Sequence, residues 1–197
     1  MVVQFSGRLP ALETVRLEDK SAGLDGVIVV HSTTLGPGAG GCRLWHYPDL
    51  DQAFTDAFRL AEGMSYKNAM AGLPFGGAKA VLRRPEVPFD RAALFRAFGR
   101  AVAALDGRYV TAEDVGTSVA DMHEVAGQTR HVAGLAAVGA AAGGDPSPWT
   151  AQGVYGAIEA GAAFALVSDQ KCRYVAGQGI GNVGAELCRR LADAGAR

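Results

Sequence analysis

Apolar positions along the chain follow two periods, and the switch from one to the other marks most of the expected regular structure. The run Gly26-Val27-Ile28-Val29-Val30-His31-Ser32-Thr33-Thr34 is rich in β-branched residues and bounded by glycine-containing turns, which predicts a buried strand. Glycines and a proline break any period in Leu35-Gly36-Pro37-Gly38-Ala39-Gly40-Gly41-Cys42-Arg43, so no regular element is expected there. From Asp51 the spacing becomes helical: Phe54, Ala57, Phe58, Ala61 and Met64 share a face, and Asp49 or Asp51 serves as cap. Ala78 to Leu82 predicts a short strand. Leu94, Phe98, Ala101, Val102 and Leu105 predict a second amphipathic helix that ends at Asp106-Gly107, and Tyr109 to Ala112 predicts a further strand.

Residues 132–145 are almost only alanine and glycine and lead into Asp145-Pro146-Ser147-Pro148, where each proline disfavours helix at the residue before it. This stretch reads as loop and interdomain hinge. A helix follows from Thr150 to Leu166, with Val154, Ile158, Ala162 and Ala165 in helical spacing. A strand over 173–177, a glycine turn and a helix carrying Val183, Leu187 and Leu191 make one βα unit, with Gly195 as its cap. The expected fold class is α/β, with no internal repeat. Residues 1–144 form a substrate-binding, catalytic domain of mixed sheet and helices, and residues 145–197 form the hinge and the start of a Rossmann domain.

Composition adds mainly exclusions. Apolar residues make up 49% and charged residues 20%, as in an ordinary globular protein. A net charge of -1 offers no broad attraction to nucleic acid or anionic lipid. No window approaches the roughly 18 apolar residues of a membrane span, and the first residues lack a basic start followed by an apolar run, so the cytoplasm is the expected location. Cys42, Cys172 and Cys188 form no CxxC pair, and His31, His46, His123 and His131 have no ligand-like spacing; no metal site is expected.

Three constellations carry candidate chemistry. Gly179-Ile180-Gly181-Asn182-Val183-Gly184 lies between a strand and a helix, where glycines allow a tight turn and the helix offers unpaired N–H groups to a pyrophosphate. The acidic residue that reads the ribose belongs about 20 residues further on, whereas thirteen residues follow Gly184, so the dinucleotide fold is expected to be truncated. Lys67 and Lys79, twelve apart, stand among small and apolar residues in Met64-Ser65-Tyr66-Lys67 and Phe75-Gly76-Gly77-Ala78-Lys79. Either both snorkel to solvent, or a buried pair lowers each other's pKa and supplies one cation for a carboxylate and one neutral base. Glu113 and Asp114, at the end of a strand, either cap a following helix or poise a carboxylate for proton transfer.

These pieces, in this order, resemble the glutamate/leucine/phenylalanine/valine dehydrogenase family, from about residue 20 onward. The matching segments are Leu35-Gly36-Pro37, Gly40-Gly41-Cys42-Arg43, Gly63-Met64-Ser65-Tyr66-Lys67, Pro74-Phe75-Gly76-Gly77-Ala78-Lys79, Thr111-Ala112-Glu113-Asp114-Val115-Gly116-Thr117, Thr150-Ala151-Gln152-Gly153-Val154 and the glycine turn. The resemblance implies an oxidative deaminase using NAD, or NADP, that assembles as a homo-oligomer through its N-terminal domain. By the same token Lys67 binds the substrate α-carboxylate, Lys79 is the catalytic lysine, Asp114 shuttles protons, and Thr150 lies near the nicotinamide. Ala39, Gly40 and Met64 are expected at the substrate, and Gly179, Ile180, Gly181, Asn182, Val183 and Gly184 at the cofactor.

In that chemistry hydride leaves the substrate Cα and neutral Lys79 activates water to attack the resulting iminium, releasing a 2-oxo acid and ammonia. A Schiff base on the lysine is the rival role. Glutamate-specific members carry Lys just before Gly-Gly-x-Arg, where this chain has Ala39. A methyl cannot pair with a buried carboxylate, so an apolar amino acid is expected, with leucine, valine and phenylalanine all open. Ala78 before Lys79 is nearer the glutamate-type pattern. The alternative to an enzyme is a substrate-binding or subunit-interaction module derived from the family.

Overall fold

A computed structural model of the chain describes residues 11–136, 143–166 and 173–197. The described residues divide into two compact units with a boundary between Gly144 and Asp145. In the first unit, β1 (Glu13–Asp19) and β2 (Leu24–Ser32) form an antiparallel hairpin, in register from Glu13 opposite Val30 to Asp19 opposite Leu24. β2 pairs antiparallel with β5 (Gly76–Arg83), Val27 opposite Val81 and Val29 opposite Lys79. On its other side β5 runs parallel to two short strands, β3 (Gly38–Ala39) and β4 (Cys42–Trp45), and β3 pairs in turn with β6 (Tyr109–Val110). β5 is therefore interior to the sheet, flanked on both edges.

The two-residue period of β5 sorts its side chains. Ala78, Ala80 and Leu82 join Ile28 and Val30 beneath the apolar faces of α2 (Arg91–Ala104) and α3 (Val119–Ala126), with Phe95, Phe98, Met122 and Val125 fully buried. Val81 joins Val27 and Val29 beneath Ala53, Ala57, Phe58 and Ala61 of α1 (Leu50–Met70). Each large apolar side chain so buried contributes roughly 1.5–3 kcal/mol. Helix starts follow local chemistry: Asp49 accepts from the Gln52 N–H at 2.8 Å, and Asp90 from the Ala93 N–H at 2.9 Å.

Two expectations from the sequence change here, and a third lies partly outside the described residues. The segment 35–43 is not wholly irregular, because β5 and β6 supply the ladder partners that give β3 and β4 their form. Glu113 and Asp114 do not cap the following helix: α3 starts at a capping box in which Ser118 and Asp121 satisfy each other's backbone N–H groups. The expected hinge lies partly at residues 137–142, outside the described residues, as does Cys172.

The second unit contains α4 (Ser147–Leu166) and α5 (Asn182–Asp193), which pack together. α4 begins one residue before Pro148, in the first turn, where proline's missing N–H costs no helical bond. Residues 173–177, expected as a strand, are irregular. Among the described residues their ladder-type partner is Arg197, whose N–H donates to the Arg173 carbonyl at 2.7 Å and whose carbonyl accepts from Val175 at 2.8 Å. Past the Ala194 cap, Gly195 is left-handed (φ 88°) and the Ala196 N–H returns to the Leu191 carbonyl, closing a Schellman motif. No described helix is long and apolar enough to cross a membrane.

Candidate active site

Lys79 occupies the middle of β5 on the face covered by α1, between Gly77 and Val81. Its side chain is only 6% exposed, and Nζ lies 3.0 Å from Asp114 Oδ2, whose side chain is 23% exposed. The solvent-seeking alternative thus fails for Lys79. Burial lowers its pKa from the ordinary lysine value; Asp114 opposes that shift and the Arg43 guanidinium adds to it. Burial alone would raise Asp114, but the Lys79 and Arg43 charges outweigh it and hold the carboxyl below its ordinary range. The second cation acting on Lys79 is therefore Arg43, in place of the Lys67 anticipated from the sequence. Lys67 is exposed, in the last turn of α1.

Arg43, on β4, donates from Nε to Asp114 Oδ2 at 2.9 Å and from Nη1 to Asp56 Oδ2 on α1 at 2.9 Å. Tyr47 donates to the same Asp56 oxygen at 2.5 Å. Burial and that bond push the Tyr47 phenol up to about 12, so it stays a donor. The turn carrying Asp114 is fixed by Thr117, whose hydroxyl accepts from the Asp114 N–H at 2.8 Å and lies 3.0 Å from the Cys42 carbonyl. In the sequence Arg43 is only the end of a motif and Asp56 and Tyr47 carry no signal, because nothing local joins residues 71 positions apart.

Glycines make the close packing possible. A Cβ at Gly40 would stand 1.8 Å from the Ala78 carbonyl oxygen and 3.2 Å from Met64 Cγ; one at Gly41 would stand 2.6 Å from the Glu113 oxygen and 2.9 Å from Asp114 Cβ. At Gly77 it would meet the Ser65 N at 2.2 Å. Any side chain there would push β3 and the Asp114 turn, or α1, away from the strand that carries Lys79. Tyr109 fixes the Gly40 carbonyl with a 2.8 Å bond, and Ala39 pairs with Gly77, two residues from Lys79. Ala39, Gly40 and Met64 thus sit together against β5. The buried Asn68, next to Lys67, bonds the Gly76 carbonyl at 2.6 Å and ties the end of α1 to the start of β5.

Concavity does not locate this site. A cavity of about 670 Å³ lies where Arg16 and Arg83 both pair with Asp25, and one of about 560 Å³, lined by Arg43, Trp45, Tyr47 and Asp56, opens behind the Asp114 partner; Lys79 lines neither. His31 is buried, with Nδ1 2.8 Å from Ser65 Oγ, and His46 and His123 are exposed. Among the described residues no group of His, Cys, Asp or Glu is arranged to hold a metal ion.

In the second unit, Gly179 is left-handed (φ 88°) and a Cβ at Gly184 would meet the Gly179 oxygen at 2.3 Å. Gly181 is the N-cap of α5 without a side-chain bond, leaving the first N–H groups, at Asn182 and Val183, free of a side-chain cap beside the exposed Ile180. This tight, uncapped turn fits a dinucleotide's pyrophosphate. Thr150 is exposed in the first turn of α4, and its hydroxyl donates to the Pro146 carbonyl at 3.0 Å.

The described residues thus combine a mixed α/β sheet that buries a lysine against a carboxylate with an uncapped glycine turn of the dinucleotide type. The chain belongs to the Glu/Leu/Phe/Val dehydrogenase family, whose dimerisation-domain model matches residues 11–131. It is 48% identical over 181 residues to leucine dehydrogenase of Geobacillus stearothermophilus, covering 91% of this chain and 49% of that one. It is 46% identical over 186 residues to valine dehydrogenase of Streptomyces albus, covering 93% and 50%. The chain spans about half the length of the curated relatives it matches. Among solved structures, L-tryptophan dehydrogenase from Nostoc punctiforme matches with a TM-score of 0.68 at 34% identity, over 95% of this chain and 52% of that one. Hetero-hexameric glutamate dehydrogenase from Thermus thermophilus, at 24% identity and a TM-score of 0.73 over 94% and 48%, shares the fold.

Proposed function

We propose that the protein carrying this chain converts an apolar L-amino acid, water and an oxidised nicotinamide dinucleotide to a 2-oxo acid, ammonia and the reduced dinucleotide. The observation that carries the reading is the buried Lys79 ammonium 3.0 Å from Asp114, because deamination needs a base whose pKa is lowered and a route for its proton. The dinucleotide, held at Gly179 to Gly184 with Thr150 near its nicotinamide, supplies the two-electron acceptor.

The chain's own residues do the remainder. Lys67, exposed on α1, holds the substrate α-carboxylate, while Gly40 and Met64 line the site and Ala39 faces the substrate side chain. Neutral Lys79 takes a proton from the water that attacks the imine carbon, and Asp114, less buried than its partner, relays that proton toward solvent. Collapse of the carbinolamine expels ammonia. Residues 1–144 form the substrate-binding and catalytic domain, and residues 145–197 start the cofactor domain. The family's dimerisation domain supports a homo-oligomer; a cytoplasmic location without nucleic-acid or membrane partners completes the reading.

Ala39 supports an apolar substrate, since its methyl leaves a side-chain carboxylate unpaired at a cost of several kcal/mol. The names of the relatives, leucine, valine and L-tryptophan dehydrogenase, agree with that choice. NAD is the proposed acceptor. The test is reduced-dinucleotide formation by the intact protein with leucine, valine, phenylalanine, tryptophan and glutamate, each with NAD and with NADP. At least one apolar amino acid should exceed glutamate in kcat/KM by about a hundredfold or more. Equal or greater use of glutamate would overturn the substrate class, and no turnover with any amino acid would overturn the reaction.

A further inference from the structure

We infer that Arg43 is a positioning residue: its guanidinium bridges Asp114 to Asp56 on α1 and so fixes the Asp114 carboxylate against Lys79. This deepens the proposed function and rests on it. The bridge spans three parts of the fold. Arg43 projects from β4 on the α1 face, in register with Val81 of β5; Asp56 comes from α1; Asp114 comes from the turn after β6. Nε and Nη1 each reach a carboxylate at 2.9 Å, so one planar group sets the distance between two acids that would otherwise repel. Tyr47 holds the far acid in turn. The result is a hydrogen-bonded chain, Tyr47 to Asp56 to Arg43 to Asp114 to Lys79, leading from a cavity wall to the buried amine.

Asp114 Oδ2 receives both Arg43 Nε and Lys79 Nζ, at 2.9 and 3.0 Å. Without Arg43 that oxygen would lose one of its two partners, and the carboxylate would be free to rotate away from Lys79. Arg43 also places a second cation near Lys79, which favours the neutral amine. The charged or titratable groups around Lys79 are Asp114, Arg43 and the buried Cys42 thiol, and those around Arg43 are Asp114, Asp56 and Tyr47. A lysine at position 43 would keep the charge, but its single ammonium cannot reproduce the planar two-nitrogen bridge.

The experiment combines two measurements on Arg43→Ala, Arg43→Lys and Asp56→Asn. The first is the Lys79 titration by NMR of the full 197-residue chain labelled with 13C at the lysine ε-carbons; Lys20, Lys67, Lys79 and Lys171 are its only lysines. The Lys79 midpoint should fall in Arg43→Ala, because losing the held Asp114 carboxylate outweighs losing the Arg43 charge, and stay near the wild-type value in Asp56→Asn, which keeps the cation on Asp114. The second is turnover by the intact protein. Arg43→Ala should lose about tenfold to a hundredfold in kcat with KM for the amino acid within about threefold, Arg43→Lys should recover only part, and millimolar guanidinium, entering through the cavity that Arg43 lines, should restore part of Arg43→Ala.

An unmoved or raised Lys79 midpoint in a folded Arg43→Ala chain would overturn the proposal, since Asp114 would then have kept its place, and so would full kcat in that variant. If Arg43→Ala loses its fold, Asp56→Asn decides: lowered kcat at unchanged KM supports positioning, and unchanged kcat overturns it. Because the titration needs no turnover, absence of activity in the wild type would count against the proposed reaction and leave the Arg43 coupling separately measured.

Discussion

At the residue scale, Lys79 and Ala39 carry the proposed reaction and the proposed choice of substrate. Lys79 could be picked out from the sequence because a lysine among Gly, Ala and Val is conspicuous, and the structure places it in a strand interior with its amine on a carboxylate. The same reasoning misjudged its neighbour: the cation that acts on Lys79 comes from β4, across the sheet, and sequence distance hid it. Ala39 is half-buried and pairs with Gly77, so in the proposed reading a larger side chain there would take up substrate volume. Ala39→Leu should lower the ratio of kcat/KM for phenylalanine over valine by about tenfold or more, the usual worth of lost pocket volume. Steady-state kinetics with both substrates checks this, and an unchanged ratio would remove Ala39 from the pocket.

At the element scale, the site depends on how closely α1 approaches β5. Gly77→Ala would set a Cβ 2.2 Å from the backbone nitrogen of Ser65, an atom that cannot rotate aside. α1 or β5 must then shift, which should cost about 1–3 kcal/mol. Urea unfolding should show a lower midpoint with an unchanged slope, and a wild-type midpoint would mean that the two elements are not so tightly joined. α1 and α2 were legible from their helical period, and β2 and β5 as apolar runs between turns, as strands buried on both faces are. β1 was not, since Glu13-Thr14-Val15-Arg16-Leu17-Glu18-Asp19 is an edge strand with few apolar residues and pairs only with β2. β3 and β4 are two and four residues long and owe their form to β5 and β6, which a local reading cannot supply. α3 has eight residues, two turns, too few to establish a period before its capping box is recognised.

At the scale of the whole molecule, the proposed reaction draws on residues of both units. The first unit contributes the lysine, its carboxylate and the glycine-lined wall, and the second contributes the uncapped turn from Gly179 to Gly184. The motif order made the family legible in the sequence, whereas strand character at residues 173–177 depends on neighbours that a local pattern does not contain. The central claim is that Lys79 is the base of an oxidative deamination, and it is tested in the intact protein by kcat against pH for wild type and Lys79→Ala. A base must be neutral to act, and burial lowers the pKa of Lys79, so wild-type kcat should rise with pH through a midpoint below the ordinary lysine value of 10.5. Lys79→Ala should lose that rise and about a hundredfold or more in kcat, while its affinity for NAD stays near wild type. A Lys79→Ala enzyme that keeps full kcat and the same pH dependence would contradict the account.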